Sequence, residues 1–190
     1  MRTIRKFLWS SIVAVSILST ACAATKFTTV WKDEIYEGHP AKIMVIGMTK
    51  IPATRRLFED EFVKELKNHD TDAIASYYVL PDRSLTDKAA INAKAKQMGA
   101  DAVLITKPVG RRTGATESPW ANYEDEYIDT ETSVYDMISD KLIWTASSET
   151  WIRNYTSYET QIELFVKDIV RKMAEQKLVK PESAATDIKS

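Results

Sequence analysis

Apolar positions in this chain fall into runs of two kinds, and the two kinds alternate. Residues 41–48 (Ala-Lys-Ile-Met-Val-Ile-Gly-Met), 72–80 (Asp-Ala-Ile-Ala-Ser-Tyr-Tyr-Val-Leu) and 101–109 (Asp-Ala-Val-Leu-Ile-Thr-Lys-Pro-Val) are short and nearly unbroken in hydrophobicity. Such runs suit strands covered on both faces of a sheet. Between them the period changes. Leu57, Phe58, Phe62 and Leu66 repeat at three-to-four spacing over residues 53–68, and Ile91, Ala95 and Met98 do so over 87–98. These predict amphipathic helices. Pro52 marks the turn into the first, and Thr86 is placed to cap the second. Gly99 supplies a left-handed residue after the second helix. The order strand, helix, strand, helix, strand implies parallel strands joined by right-handed crossovers. With the first strand between the second and third, the two helices fall on opposite faces.

Beyond the third strand the pattern changes. Residues 127–138 and 142–151 predict an antiparallel hairpin turning at Ser139-Asp140-Lys141, with Asp140 in the left-handed position. Ile162, Phe165, Val166, Ile169, Met173 and Leu178 stripe a final helix over residues 157–177, which Pro181 stops. The expected fold is α/β, a three-layer α/β/α sandwich around a mixed five-stranded sheet of order 2-1-3-4-5. It occupies residues 41–180 as one domain, and the polar residues 181–190 read as a disordered tail. Residues 22–40 read as a tether and packing arm, with Trp31, Ile35 and Tyr36 lying against the domain. Residues 110–126 carry two glycines and a proline, and read as one long loop. Loops of that length are uncommon unless functional or disordered.

Charge adds a compartment. Arg2, Arg5 and Lys6 precede an apolar stretch over residues 7–21, too short to span a bilayer and typical of an export signal. Removing residues 1–21 takes those three from 26 basic groups against 27 acidic, so the mature chain sits near −4. Neither that balance nor any basic cluster longer than Arg111-Arg112 points to nucleic acid. Two cleavage readings are open. Leu18-Ser19-Thr20-Ala21-Cys22 resembles the lipobox of bacterial lipoproteins, departing from it at Ser19, where a leucine-like residue is usual. In that reading Cys22 carries the lipid, which accounts for the only cysteine. Three acyl chains at roughly 0.8 kcal/mol per buried methylene make a durable anchor. Ala23 in the next position directs such a protein to the periplasmic face of the outer membrane. In the other reading Ala21-Cys22-Ala23 is an ordinary small-x-small cleavage site, and the product is a free periplasmic protein.

Reaction chemistry is sparse. The five glycines are scattered, with no phosphate-binding loop, and there is no cysteine pair, histidine–glutamate metal pair or Gly-x-Ser-x-Gly elbow. His39 precedes Pro40 at a turn, and His69 follows a helix end where capping explains it. Glu59, Asp60 and Glu61 are consecutive and therefore diverge around the helix, reading as a solvated face. The sequence names no catalytic residue, metal ligand or cofactor. Its candidate partner-binding residues are Arg111, Arg112, Trp120 and Tyr123, the arginines to read an acidic group and the aromatics to anchor. A second candidate is a small ligand or peptide at the carboxyl ends of the first and third strands, where such sheets open a crevice.

Four segments carry a resemblance: Val30-Trp31-Lys32-Asp33, the run 56–62 (Arg-Leu-Phe-Glu-Asp-Glu-Phe), the run 99–104 (Gly-Ala-Asp-Ala-Val-Leu), and Val134-Tyr135-Asp136 with the run 141–144 (Lys-Leu-Ile-Trp). Together they resemble an uncharacterised group of Gram-negative envelope lipoproteins. The element order is similar to the amino-terminal domain of the Tol–Pal propeller protein and to the globular part of the curli-secretion lipoprotein. The resemblance implies an envelope role through contacts with other, unidentified envelope proteins, and supplies no catalytic residues. Likeness of fold does not itself carry function.

Overall fold

The computed structural model describes residues 25–118, 121–152 and 156–182. In chain order the elements are β1 (Thr25–Lys32), β2 (Lys42–Gly47), α1 (Pro52–Asn68), β3 (Asp72–Ala75), α2 (Lys88–Gln97), β4 (Ala102–Ser118), β5 (Ala121–Asp136), β6 (Leu142–Ile152) and α3 (Tyr158–Glu175). All six strands belong to one sheet, in the order β1-β6-β5-β4-β2-β3. β2 is parallel to β3 and to β4, while the β4–β5, β5–β6 and β6–β1 pairs are antiparallel.

Alternation along β2 builds two cores. Ile43 and Val45 face a layer formed by α1 and α3, packed among Phe62, Leu66, Phe165 and Ile169. Met44 and Ile46 face the other way, toward Ile91 and Ala95 of α2. The stripe expected on the last helix is buried throughout, from Ile162 to Leu178. Gly99 and Asp140 take the positive φ angles (69° and 58°) expected of them.

Several expectations are corrected. The sheet has six strands, and its order differs from 2-1-3-4-5 because residues 25–32 form an edge strand on β6 instead of a tether. Phe27 and Val30, three residues apart, both pack on the core because the register shifts between Phe27 and Thr29, and the lysines at 26 and 32 suit an edge strand. Tyr36 packs partly on the core, but Ile35 is 89% exposed. Residues 110–126 are not a loop: β4 and β5 continue through them as a hairpin paired from Ala102–Asp136 to Ser118–Ala121. The misleading signals were the glycines and the proline of that segment, of which Gly110 adjoins a bulge where the register shifts and Gly114 pairs within the ladder. The strand expected over 72–80 stops at Ala75 and turns into a 3₁₀ turn, Ser76–Tyr78. Helix α2 is capped by Asp87, which accepts from the Ala90 N–H at 3.1 Å, not by Thr86. Finally, Glu59 is not on a solvated face. It is fully buried.

Candidate functional site: a projecting arm and the crevice at its root

The β4–β5 hairpin outruns its neighbours. β2 accompanies β4 only as far as Thr106, and β6 accompanies β5 only as far as the Glu126–Ile152 pair. Among the described residues, 114–118 and 121–125 pair with each other and with no other strand. At about 3.3 Å per residue this ribbon is roughly 16 Å long. A two-stranded ribbon is marginally stable alone in water, so an arm of this kind gains order from what it touches.

Arg111 and Arg112 stand at the arm's root, and as successive strand residues they point to opposite faces. Arg111 pairs with Glu126. The Arg112 guanidinium donates to both carboxylate oxygens of Asp129, at 3.1 and 2.9 Å, and also bonds Glu149, joining three neighbouring strands. These bonds hold the Asp129 carboxyl below its ordinary 3.8 and push the Arg112 guanidinium further up. Gly110 makes room for the cluster, since a Cβ there would meet Asp129 Oδ2 at 2.8 Å. The two arginines thus do not converge on one external acidic group. Tyr123 lies in the ribbon opposite Thr116. Trp120 and Cys22 lie outside the described residues.

At the root, a crevice of about 110 Å³ opens at the carboxyl end of β2, beside residues 106–108 of β4. Gly47, Met48 and Thr49 form one side, and Thr54 and Phe58 of α1 another. Thr106 and Pro108 of β4, Ile128 and Thr130 of β5, and Tyr158 of α3 complete it. No His, Cys, Asp, Glu, Lys or Arg is among these residues. Helix α1 enters with Ile51 at its N-cap position, without a side-chain cap and without an acid in its first turn. Its first N–H groups thus have no side-chain acceptor.

Beneath the crevice lies an ion pair that sequence reasoning missed. Glu59 Oε1 accepts from Arg55 Nε (2.8 Å), the Gly47 N–H (3.0 Å) and Ser76 Oγ (2.8 Å), while Oε2 accepts from the Tyr77 N–H (2.8 Å). Arg55 also donates to Ser76 Oγ at 2.7 Å and to Asp82 at 2.5 Å. This one carboxylate ties together the end of β2, helix α1 and the 3₁₀ turn that follows β3. The signal was in the sequence: Arg55, Glu59, Phe62 and Leu66 share one helical stripe, at spacings of four, three and four. Among the described residues no group of His, Cys, Asp and Glu is placed to hold a metal ion, and no helix is long and apolar enough to cross a membrane.

No family model matches the chain, and no curated protein matches it. Solved structures do. The PelC dodecamer from Paraburkholderia phytofirmans is 13% identical with a TM-score of 0.51, over 75% of this chain and 94% of that one. Lipoprotein GNA1162 from Neisseria meningitidis is 16% identical with a TM-score of 0.47, over 72% and 99%. A minor lipoprotein from Acinetobacter baumannii is 8% identical with a TM-score of 0.37, over 75% and 98%. The PelC likeness shows a shared fold. At this level of identity it transfers no function.

Proposed function

We propose that this chain is a non-catalytic, lipid-anchored protein of the cell envelope, acting through protein–protein contacts made by its β4–β5 arm on the periplasmic face of the outer membrane. One observation supports the proposal: among the described residues, the arm runs past every strand that pairs with its root. The anchor agrees with it in position. Thr25 opens β1 opposite Thr150, Thr150 lies opposite Ile128, and Ile128 lies opposite Arg111. Cys22 is three residues upstream, within about 10 Å of Thr25 by chain length. A lipid on Cys22 would set the arm on the membrane-proximal side of the domain, with Arg111, Arg112, Trp120 and Tyr123 as its contact residues. Copies of the chain belong among the partners to be sought, because PelC, of the same fold, is a dodecamer.

The test has two parts. The mature protein from membranes should have a mass beginning at Cys22 plus acyl groups, lost in Cys22→Ala. Replacing residues 114–125 by an Asn-Gly turn should abolish co-purification of envelope partners while the domain still melts cooperatively. Unchanged partners would remove the arm from the proposal, and an unlipidated mass beginning at Ala24 would remove the anchor. The crevice favours a second reading, a periplasmic module binding a small ligand or peptide where β2 ends beside β4.

A further inference from the structure

We infer that the end of the domain where β2 closes rests on the bilayer, with Ile51, Val109 and Tyr158 in the headgroup region and Lys50 among the lipid phosphates. The inference rests on the lipoprotein reading above and adds to it the surface that meets the lipid. Chain length fixes which end this is. Only Cys22, Ala23 and Ala24 precede Thr25 in the lipidated chain, so the acyl chains start within about 10 Å of β1. Thr25 is level with Thr150, Ile128 and Arg111, and Ile128 lines the crevice together with Thr49, Pro108 and Tyr158. Ile51 and Val109 adjoin these lining residues in the chain. The three side chains are large, apolar and open to solvent: Ile51 is 60% exposed, Val109 56% and Tyr158 46%. The aliphatic pair has no polar group for water to solvate, and a tyrosine suits a membrane–water boundary.

Charge separates this end from the other. No Asp or Glu occurs between Glu37 and Glu59, a stretch that holds the exposed Lys50. Glu126, Asp129 and Glu149 are paired with Arg111 and Arg112, and Glu159 complements the dipole in the first turn of α3. At the opposite end, roughly 30 Å along the strands, Ile35 and Ile138 are also exposed. There Asp33, Glu34 and Glu37 flank Ile35 in the chain, and Asp140 lies two residues from Ile138. Anionic lipid therefore attracts one end and repels the other. The arm sets the tilt. Its last paired residue, Ser118, is seven residues past Arg111, roughly 23 Å and about twice the reach of the tether. Upright strands would carry the acidic positions 117, 124 and 125 into hydrocarbon, which is costly. The strands lean instead, and leaning toward the helical face brings the starts of α1 and α3, with Ile51 and Tyr158, to the headgroups.

The test uses the full mature chain, purified from membranes and reconstituted in vesicles of phosphatidylethanolamine and phosphatidylglycerol. Lipid on the only cysteine, Cys22, leaves no thiol there, so Ile51→Cys, Val109→Cys, Tyr158→Cys, Ile35→Cys and Ile138→Cys each offer one site for a fluorophore. All five positions are exposed, so the labels leave the core intact. Lipid carrying a nitroxide near the glycerol should quench the labels at 51, 109 and 158 at least about threefold more strongly than those at 35 and 138. With Ile51→Asp and Tyr158→Asp combined, quenching at 109 should fall by about half, because apolar contact is lost and like charge is added while the anchor stays. Equal quenching at the two ends of an acylated protein would overturn this inference and leave the lipoprotein reading standing. Quenching at 109 unchanged by the double substitution would also overturn it, since the tether alone would then account for the proximity. A mass without acyl groups would overturn both.

Discussion

The corner where β2 ends and the ribbon that leaves it are only a few residues apart, and they solve opposite problems. At the corner, one carboxylate satisfies an arginine, a hydroxyl and two backbone N–H groups, and all of its partners belong to the same chain. In the ribbon, among the described residues, β4 and β5 pair only with each other, their ladders to β2 and β6 ending at Thr106 and Glu126. A self-satisfied region contributes to stability. A region with unused edges contributes to association, and its stability is settled by what it meets. The arm root stands between the two: Arg112, Asp129 and Glu149 are paired, but in water, where screening leaves such pairs small effects.

Substitutions should separate these regions by size of effect. Glu59→Ala leaves the Arg55 guanidinium, 2% exposed, with Asp82 and Ser76 as its remaining partners and takes the acceptor from the Gly47 and Tyr77 N–H groups, and should cost about 3–5 kcal/mol in urea unfolding. A loss below about 1 kcal/mol would mean that the corner is not the staple described. Ser76→Ala removes one hydroxyl from the same network and should cost about 1–3 kcal/mol by the same measurement. Shortening the arm at residues 114–125 should change stability by no more than about 0.5 kcal/mol, because among the described residues its backbone pairs only within itself. A drop of several kcal/mol would place the arm in the folding unit and undercut its assignment to association.

The smallest effect is a titration. Asp129 has a folded-state midpoint below 3.8 because Arg112 bonds its carboxylate. A depressed acid favours the folded state above the unfolded midpoint near 3.9, and that contribution disappears as pH falls through the lower folded value. In carbon-detected NMR the Asp129 midpoint should rise toward 3.8 in Arg112→Ala. It should do so in Gly110→Ala as well, where the added methyl pushes the carboxylate away. An unchanged midpoint in Arg112→Ala would break the link between the two strands.

The sequence made the layered core legible wherever one residue's hydrophobicity reported its own burial. β2, the first five residues of β4 and the α3 stripe all read correctly for that reason, and Gly99 and Asp140 announced their positive φ by residue type. It failed where the environment is supplied by distant segments. Glu59 reads as solvent-facing because its compensation comes from Gly47, Ser76 and Tyr77, none of which its helix shows. Residues 110–118 read as a loop because glycine and proline signal a break, whereas the ladder with β5 needs only backbone and tolerates both at a bulge.

By itself the sequence determined the alternation of strands and helices, the leader pattern before Cys22 and the near-neutral charge, all local properties of composition and spacing. Only the tertiary structure decided that residues 25–32 close the sheet's edge, that Arg111 and Arg112 part to opposite faces, and that the start of α1 and Thr130 meet in one cleft. The first and the last of those join segments more than fifty residues apart, and a strand's partner is chosen by the whole packed sheet rather than by the strand.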